Sequence, residues 1–243
     1  MKTGIDYSWE KPDASSIASA GFQFVMRYVD YPGANGKGIS KTELDSLRAN
    51  GLAVGLVYES TEARALDGFA AGAADALPVR DELNALGWPD DRPVYFAVDF
   101  DAQPAQYPLI ASYFAGVASV SVMNSISRIG IYGGYDVLEW AHDNAIAGYF
   151  WQSLAWAHGK GVYPNASIHQ FQNGEKLDGK SVDYNVALNP DYGVWEVDNP
   201  TRTVEERVAA LEHNYSELNR YILARFGIIS NAAATAANPD LSL

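Results

Sequence analysis

The sequence predicts an α/β barrel of the TIM type in a variant form: five βα units, then three strands, followed by a C-terminal amphipathic helix with coiled-coil spacing. Three observations predict it. Short β-rich runs alternate with helix-patterned stretches over residues 4–144, the sign of βα units around a parallel sheet. Beyond them come three more β-like runs, separated by segments too rich in Gly, Pro and Asn for long helices. The 243 residues are 48% hydrophobic, 12% aromatic and 19% charged, enough apolar material for one large core.

Strand one is expected over residues 4–8, and a helix opened by Pro12 and closed by Gly21 follows it. Strand two covers 22–29. A glycine-rich loop, residues 31–38, leads to a helix over 40–50 with Ser40 and Glu43 as a capping box and Gly51 as its stop. Strand three covers 52–58. Residues 62–86 are Ala-rich with Gly68 and Gly72, as expected for a helix lying close against its neighbours, and Pro78 is expected to break that helix in two. Strand four covers 93–100, and Pro104 starts a helix expected to run to residue 127. Strand five covers 128–132, Gly133 and Gly134 turn the chain, and a short helix spans 136–144. The last three strands fall at 148–153, 167–172 and 181–186, and the barrel closes near Trp195. The expected domains are therefore a barrel over residues 1–197, a linker and heptad helix over 198–229, and a low-complexity tail over 230–243.

The heptad segment rests on spacing. Thr203 and Glu206 form a capping box, and Val204, Val208, Leu211, Tyr215, Leu218 and Ile222 recur at alternating steps of four and three. Such a seam either docks on its own barrel or joins copies of the chain. Arg207 and Glu212 on the flanking positions suit interchain pairing, so a homo-oligomer through residues 203–226 is expected.

Composition excludes several classes of function. A formal net charge of −13 argues against a nucleic-acid partner, which needs Lys and Arg to neutralise phosphates. With no cysteine there is no disulfide, thiolate metal site or Cys nucleophile. His142, His158, His169 and His213 lack metal-ligand spacing, the 33–37 stretch lacks Walker spacing, and no Gly-x-Ser-x-Gly elbow occurs, so no metal and no cofactor is expected. No apolar run reaches the roughly 20 residues of a membrane span, and the N-terminus reads directly as a strand rather than a classical signal peptide.

In a barrel, functional side chains gather at the carboxyl ends of the strands, because the following loops form the mouth. Asp6 ends strand one, Arg27 lies near the end of strand two, Tyr58 and Glu59 end strand three, and Asp99 and Asp101 end strand four. Tyr132 ends strand five, Gln152 and Trp151 sit on strand six, Gln170 on strand seven, and Asp183 with Asn185 on strand eight. Side chains alternate along a strand, so Tyr95, Ala97, Asp99 and Asp101 share one face, and the two carboxylates are expected roughly 6.6 Å apart, two residues at about 3.3 Å rise each. Carboxyls that close split into an acid and a base, the pairing glycoside hydrolysis needs. An Asp-x-Asp at a strand end equally caps a loop or holds a divalent metal. Strands one and eight are neighbours when a barrel closes, so Asp6 and Asp183 are expected to join the pair. Tyr7, Trp9, Tyr28, Tyr31, Tyr58, Tyr132, Tyr135, Trp151 and Trp156 offer flat faces for sugar rings near the same mouth.

The runs Gly4-Ile5-Asp6-Tyr7-Ser8, Phe24-Val25-Met26-Arg27-Tyr28, Gly55-Leu56-Val57-Tyr58-Glu59, residues 94–101, Ile131-Tyr132-Gly133-Gly134-Tyr135, Trp151-Gln152 and Val182-Asp183-Tyr184-Asn185 resemble, in order, the actinobacterial and phage glycoside hydrolase-like domains. That family is related to the family 25 muramidases, which cut the glycan strands of peptidoglycan. The resemblance covers about residues 1–195 and implies the same barrel. It sets Asp6 and Asp183 on the muramidases' strand-one and strand-eight aspartates, and Asp99 with Asp101 on their strand-four Asp-x-Glu. The second member of that pair is the muramidase proton donor. Here it is Asp101, one methylene shorter, and a donor withdrawn by about 1 Å can cost about 100-fold. Glu59 is the substitute acid.

The expected function is thus glycan cleavage on bacterial cell wall. Asp101 or Glu59 serves as acid, Asp99 and Asp6 stabilise charge or activate water, and Asp183, Arg27, Tyr58, Tyr132, Gln152, Gln170 and Trp151 hold sugar. The alternative is a carbohydrate-binding or structural module without turnover. A barrel carrying a heptad helix also suits a phage tail or endolysin-type protein with other virion tail proteins as partners, so the expected location is extracellular or in the virion.

Overall fold

Strand β1 (Thr3–Asp6) lies in parallel beside β2 (Phe24–Tyr28), and β3 (Ala53–Tyr58), β4 (Val94–Ala97), β5 (Ile129–Gly133), β6 (Tyr149–Gln152) and β7 (Ile168–Leu177) follow in order, each parallel to the last. Strand β8 (Lys180–Ala187) closes the ring antiparallel to both β7 and β1. The computed structural model describes residues 1–197 and the isolated Ser216, so the heptad segment 203–226 and the tail 230–243 lie outside the described residues. The barrel of eight strands in sequence order agrees with the fold read from the sequence. The direction of β8 departs from a fully parallel barrel. Its link to β7 is only the Asp178-Gly179 turn, both residues with positive φ, and so short a connection joins antiparallel neighbours while a parallel return needs a crossover.

Helices α1 (Ala14–Ser19), α2 (Lys41–Ala49), α3 (Gly68–Leu86), α4 (Tyr107–Ala118) and α5 (Tyr135–Asp143) cover the outside. Alternation along the strands sorts side chains into two layers. Phe24, Met26, Val57, Tyr95, Ala97 and Trp151 fill the barrel interior, whereas Ile5, Val25, Leu56, Phe96 and Ile131 pack under the helices. The chain returns beneath the barrel, where Trp195 bridges Val54 through paired backbone hydrogen bonds of 3.2 and 2.7 Å and sets its ring against Trp88.

Several elements differ from expectation: β1 ends at Asp6, β7 runs on to Leu177, and three others depart for reasons that follow. Helix α3 runs unbroken through Pro78; the carbonyl four residues back belongs to Ala74, on the exposed face, where a carbonyl without its amide partner is open to solvent. Helix α4 stops at Ala118, where the Ser119 hydroxyl donates to the Gly116 carbonyl, and two 3₁₀ turns carry the chain on to β5. Strand β4 ends at Ala97, so Asp99 and Asp101 stand in the loop beyond it.

Helices α3 and α4 cross at glycines. A Cβ on Gly72 would sit 1.9 Å from the Tyr113 carbonyl oxygen, and one on Gly116 would sit 2.1 Å from that of Phe69. Backbone cannot yield as a side-chain tip can. Gly72→Ala is therefore expected to lower stability by about 1–3 kcal/mol. Calorimetry checks it as a fall in Tm of about 2–4 °C per kcal/mol at this chain length; an unchanged Tm contradicts the close crossing.

Candidate active site

The carboxyl ends of the parallel strands open into a hollow of about 260 Å³ lined by Asp6, Glu59, Asp99 and Asp183, by the rings of Tyr28, Tyr132, Trp151 and Trp156, and by Gln170 and Asn173 among others. Asp6 points inward because it is in phase with Gly4, while Ile5 faces the helices. Asp183 reaches the same place from the first half of β8. In a parallel strand that half would lie at the opposite end of the barrel; reversal brings Asp183 directly across from Asp6 in the β1–β8 register.

Side-chain amides hold Asp6 in place. The Trp151 indole N–H donates to Asn185 Oδ1 at 2.8 Å, which turns the Asn185 amide N–H₂ onto Asp6 Oδ2 at 2.6 Å. The Tyr132 hydroxyl donates to Gln170 Oε1 at 3.0 Å, so Gln170 likewise donates to Asp6 Oδ2 at 2.9 Å and, more loosely, to Asp183 Oδ2 at 3.4 Å. The Gly174 N–H donates to Asp183 Oδ1 at 2.7 Å. An indole nitrogen is donor-only, so Asn185 has one sensible orientation.

Burial pushes the Asp6 carboxyl far above the usual carboxylate range, and the Asp183 charge across the strand pair adds to it; the Asn185 and Gln170 amides and the Arg27 charge pull the other way. Asp183 is also raised by burial, opposed by the Gly174 N–H. Two carboxyls paired across the β1–β8 register in a poorly solvated site each disfavour a second negative charge beside the other. Asp99 is raised to about 6, first by burial and then by the Glu59 and Glu62 charges, against the pull of Lys37. The Asp99 amide donates to the Glu62 carbonyl at 3.2 Å, which ties the loop after β4 to the loop after β3. Glu59 is paired with Lys37 at 2.8 Å.

Of the residues singled out from the sequence, Asp6, Asp99, Glu59, Asp183, Tyr132, Trp151 and Gln170 meet in this hollow. Arg27, Tyr58 and Gln152 do not, and for these three the structure corrects the expectation. Each follows an inward residue, Met26, Val57 or Trp151, and so faces the helix layer. Arg27 has no exposed surface; it holds Glu43 at 2.5 Å and the carbonyls of Tyr7 and Lys37. Tyr58 packs between Tyr31 and Phe96. Gln152 braces the loop after β6, donating to the Gly161 carbonyl at 2.9 Å and accepting from the Tyr163 N–H at 2.6 Å. Glu43, expected to complete a capping box, spends its carboxylate on Arg27 and Lys11, while Ser40 alone caps α2.

Asp101 is corrected too. Because β4 ends at Ala97, strand phase no longer aims it inward, and its carboxylate lies 2.8 Å from His158 Nε2 on the exposed rim. His158 belongs to the loop after β6, in which Trp156 and His158 both take positive φ. The Trp156 carbonyl accepts the Tyr135 amide at 3.2 Å, fixing that loop as a wall of the hollow. Among the described residues no group of three or more His, Asp or Glu side chains is placed to hold an ion.

Sequence reasoning missed Lys37. It stands in the glycine-rich loop after β2, which the sequence marked only as a connection lacking Walker spacing. It also left Asn185 without a role, although the amide sits at the inward phase of β8 with Asp183.

Comparison with known proteins bears on the family and the fold. Residues 15–191 match the family model described as Rv2525c-like, glycoside hydrolase-like domain. Over 206 residues, 80% of this chain and 84% of the relative, the sequence is 32% identical to the Mycobacterium tuberculosis (strain ATCC 25618 / H37Rv) protein named "Putative peptidoglycan hydrolase Rv2525c". The crystal structure of the Tat-secreted Rv2525c from Mycobacterium tuberculosis in complex with L-tartrate superposes with a TM-score of 0.74 at 30% identity, covering 80% of this chain and 98% of that one. A muramidase from Acremonium alcalophilum shares the fold, with a TM-score of 0.52 at 18% identity over 86% of this chain and 99% of that one. The chain belongs to the Rv2525c-like, glycoside hydrolase-like domain family.

Proposed function

We propose that this chain is a glycoside hydrolase acting on bacterial cell-wall glycan, with peptidoglycan as its substrate. The observation that carries this reading is the convergence of four carboxyl groups, from β1, the loops after β3 and β4, and β8, in one ring-lined hollow. The name of the Mycobacterium tuberculosis relative supports the choice of polymer. Asp99, protonated below pH of about 6, is the general acid that gives its proton to the glycosidic oxygen as the bond to the anomeric carbon breaks. The negative charge of the Asp6 and Asp183 pair faces the oxocarbenium carbon. Glu59 takes a proton from the water that attacks that carbon, or the substrate's own acetamido group attacks first and water completes the reaction. Tyr28, Tyr132, Trp151 and Trp156 pack against the sugar faces.

One observation favours a second reading, a carbohydrate-binding module without turnover: Asp101, which the resemblance sets on the muramidase donor, is turned out to His158. Incubating the full chain with purified peptidoglycan separates the two. Release of reducing ends, fastest below pH of about 6, together with co-sedimentation on the polymer, is the expected result. Co-sedimentation with no reducing ends hands the site to the binding reading, and neither signal sinks both.

The barrel of residues 1–197 is proposed as the glycan-directed unit, with 198–229 as linker and oligomerising helix and 230–243 as tail. Sedimentation velocity of the full chain tests the helix; a monomeric mass removes it. A Tat-secreted relative supports an extracellular location. Attachment to a phage tail gains no support from these relatives.

A further inference from the structure

The glycine-rich loop after β2 grips Glu59 at two points. The Tyr31 hydroxyl donates to the Glu59 backbone carbonyl at 3.1 Å, and Lys37 Nζ meets the Glu59 carboxylate at 2.8 Å. Lys37 is itself confined. Its ammonium lies 3.9 Å from the centroid of the Tyr28 ring, which lines the hollow, and 5.4 Å from that of Trp9. Its backbone carbonyl accepts from the buried Arg27 guanidinium at 3.1 Å, and its amide closes a turn onto the Ala34 carbonyl at 3.0 Å. A lysine side chain loses considerable rotamer freedom when pinned this way, and an exposed ion pair would not recover that cost. Here the residue is 9% exposed and both partners are nearly covered.

We propose that Lys37 is a positioning residue of the reaction: seated on the Tyr28 ring and anchored through Arg27, its ammonium holds the Glu59 carboxylate in the hollow shared with Asp99. The inference rests on the hydrolase reading for its kinetic consequence and, for its electrostatic one, on Glu59 and Asp99 lining one hollow with Lys37 paired to Glu59. With Glu59 held there as an anion, a carboxyl at Asp99 keeps its proton more readily, and the neighbouring ammonium limits that effect without cancelling it. Arg27, expected from the sequence to touch sugar, acts instead through the loop it anchors.

The test uses the full chain with Lys37→Met, Lys37→Arg and Glu59→Gln, reading the ¹³C titration of the Asp99 carboxyl by NMR alongside the pH profile of glycan turnover. Lys37→Met is expected to raise the Asp99 midpoint and to lower kcat by about 100-fold with KM little changed, because a loosened Glu59 is displaced by about 1 Å. Lys37→Arg, which keeps the charge and the ring contact, restores most of kcat. Glu59→Gln lowers the Asp99 midpoint, and in Glu59→Gln the further change Lys37→Met has a much smaller effect on kcat than in wild type, since the pair acts as a unit. If Lys37→Met unfolds the loop, Glu59→Gln still decides. An Asp99 midpoint unmoved by either substitution overturns the proposal, as do additive losses in the two single variants. A wild-type chain that turns over no glycan sinks the hydrolase reading instead, and the NMR midpoints then judge Lys37 by themselves.

Discussion

Asp99→Asn is expected to reduce glycan turnover by about 10²–10⁴-fold, the range for removing a general acid, while binding to the polymer survives. Asn is isosteric, so the ring-lined hollow stays intact and only the transferable proton is lost. The wild-type rate should fall on the alkaline side with a midpoint near the Asp99 value of about 6, and the residual rate of the variant should lose that limb. Asp101→Asn is the informative partner experiment. If the residue that the resemblance sets on the muramidase donor were the working acid, this substitution would cost as much. Because Asp101 sits on the rim with His158, it is expected to cost no more than a few-fold. Equal and large losses in both variants would mean that the loop after β4 rearranges to bring Asp101 inward when glycan binds, and Asp99 would lose its assignment. The same substitution has a stability signature. A carboxyl whose folded pKa is raised makes the folded state bind the proton more tightly than the unfolded chain does. Stability from this group is therefore present at acidic pH and declines as pH rises from the ordinary value of 3.8 to about 6. Asp99→Asn removes that decline, so the variant is expected to melt later than wild type at pH 8 and no later at pH 4. Asp99 is partly exposed, so the gain is discounted for solvent screening to about 1 kcal/mol.

What the sequence carried and what it could not carry divide along a physical line. Strand order, the barrel and the inward Asp6, Asp99, Asp183, Tyr132 and Gln170 follow from apolar periodicity and from polar residues at strand ends, both local signals. Arg27, Tyr58 and Gln152 were misplaced because a strand end identifies a level of the barrel but not a face. Only the register of the neighbouring inward residues decides the face, and a slip of one residue reverses it. Asp101 was misplaced for a related reason: the run Tyr95-Phe96-Ala97-Val98-Asp99-Phe100-Asp101 alternates perfectly, yet the ladder with β5 ends at the Ala97–Tyr132 pair, with a last hydrogen bond from the Val98 amide to the Tyr132 carbonyl at 2.8 Å. Periodicity continues past the point where the ladder does. The direction of β8 lay in its short turn from β7, where Asp178-Gly179 is itself a hairpin signal. Lys37 had no local signature, since a lysine in a glycine-rich loop acquires meaning only from Tyr28 and Glu59, which are brought to it by two other strands.

Asp6→Asn is expected to trade activity for stability more sharply than any other substitution in the hollow. Asp6 is 5% exposed and faces Asp183, and both burial and that charge disfavour its ionised form. The folded state therefore holds a proton that the unfolded chain surrenders once pH exceeds the ordinary value of 3.8. The resulting stabilisation is complete below that value and drains away as pH climbs toward the raised folded pKa. Asn keeps an oxygen to accept the Asn185 and Gln170 amides, and its own amide gains Asp183 as an acceptor across the strand pair. It cannot ionise. At pH 8 the variant should be more stable than wild type by on the order of 2 kcal/mol, with the difference vanishing near pH 4; denaturant unfolding at the two pH values measures it. Turnover should drop by about 100-fold or more, because the Asp6–Asp183 pair then lacks the ionisable carboxyl that lets its charge respond to the developing oxocarbenium. A purely structural Asp6 predicts the opposite pattern: loss of stability at every pH and a kcat that follows only the folded fraction. Gain of stability at pH 8 with unchanged kcat would keep the electrostatics of the hollow and remove Asp6 from the reaction, leaving Asp183 to carry the charge by itself.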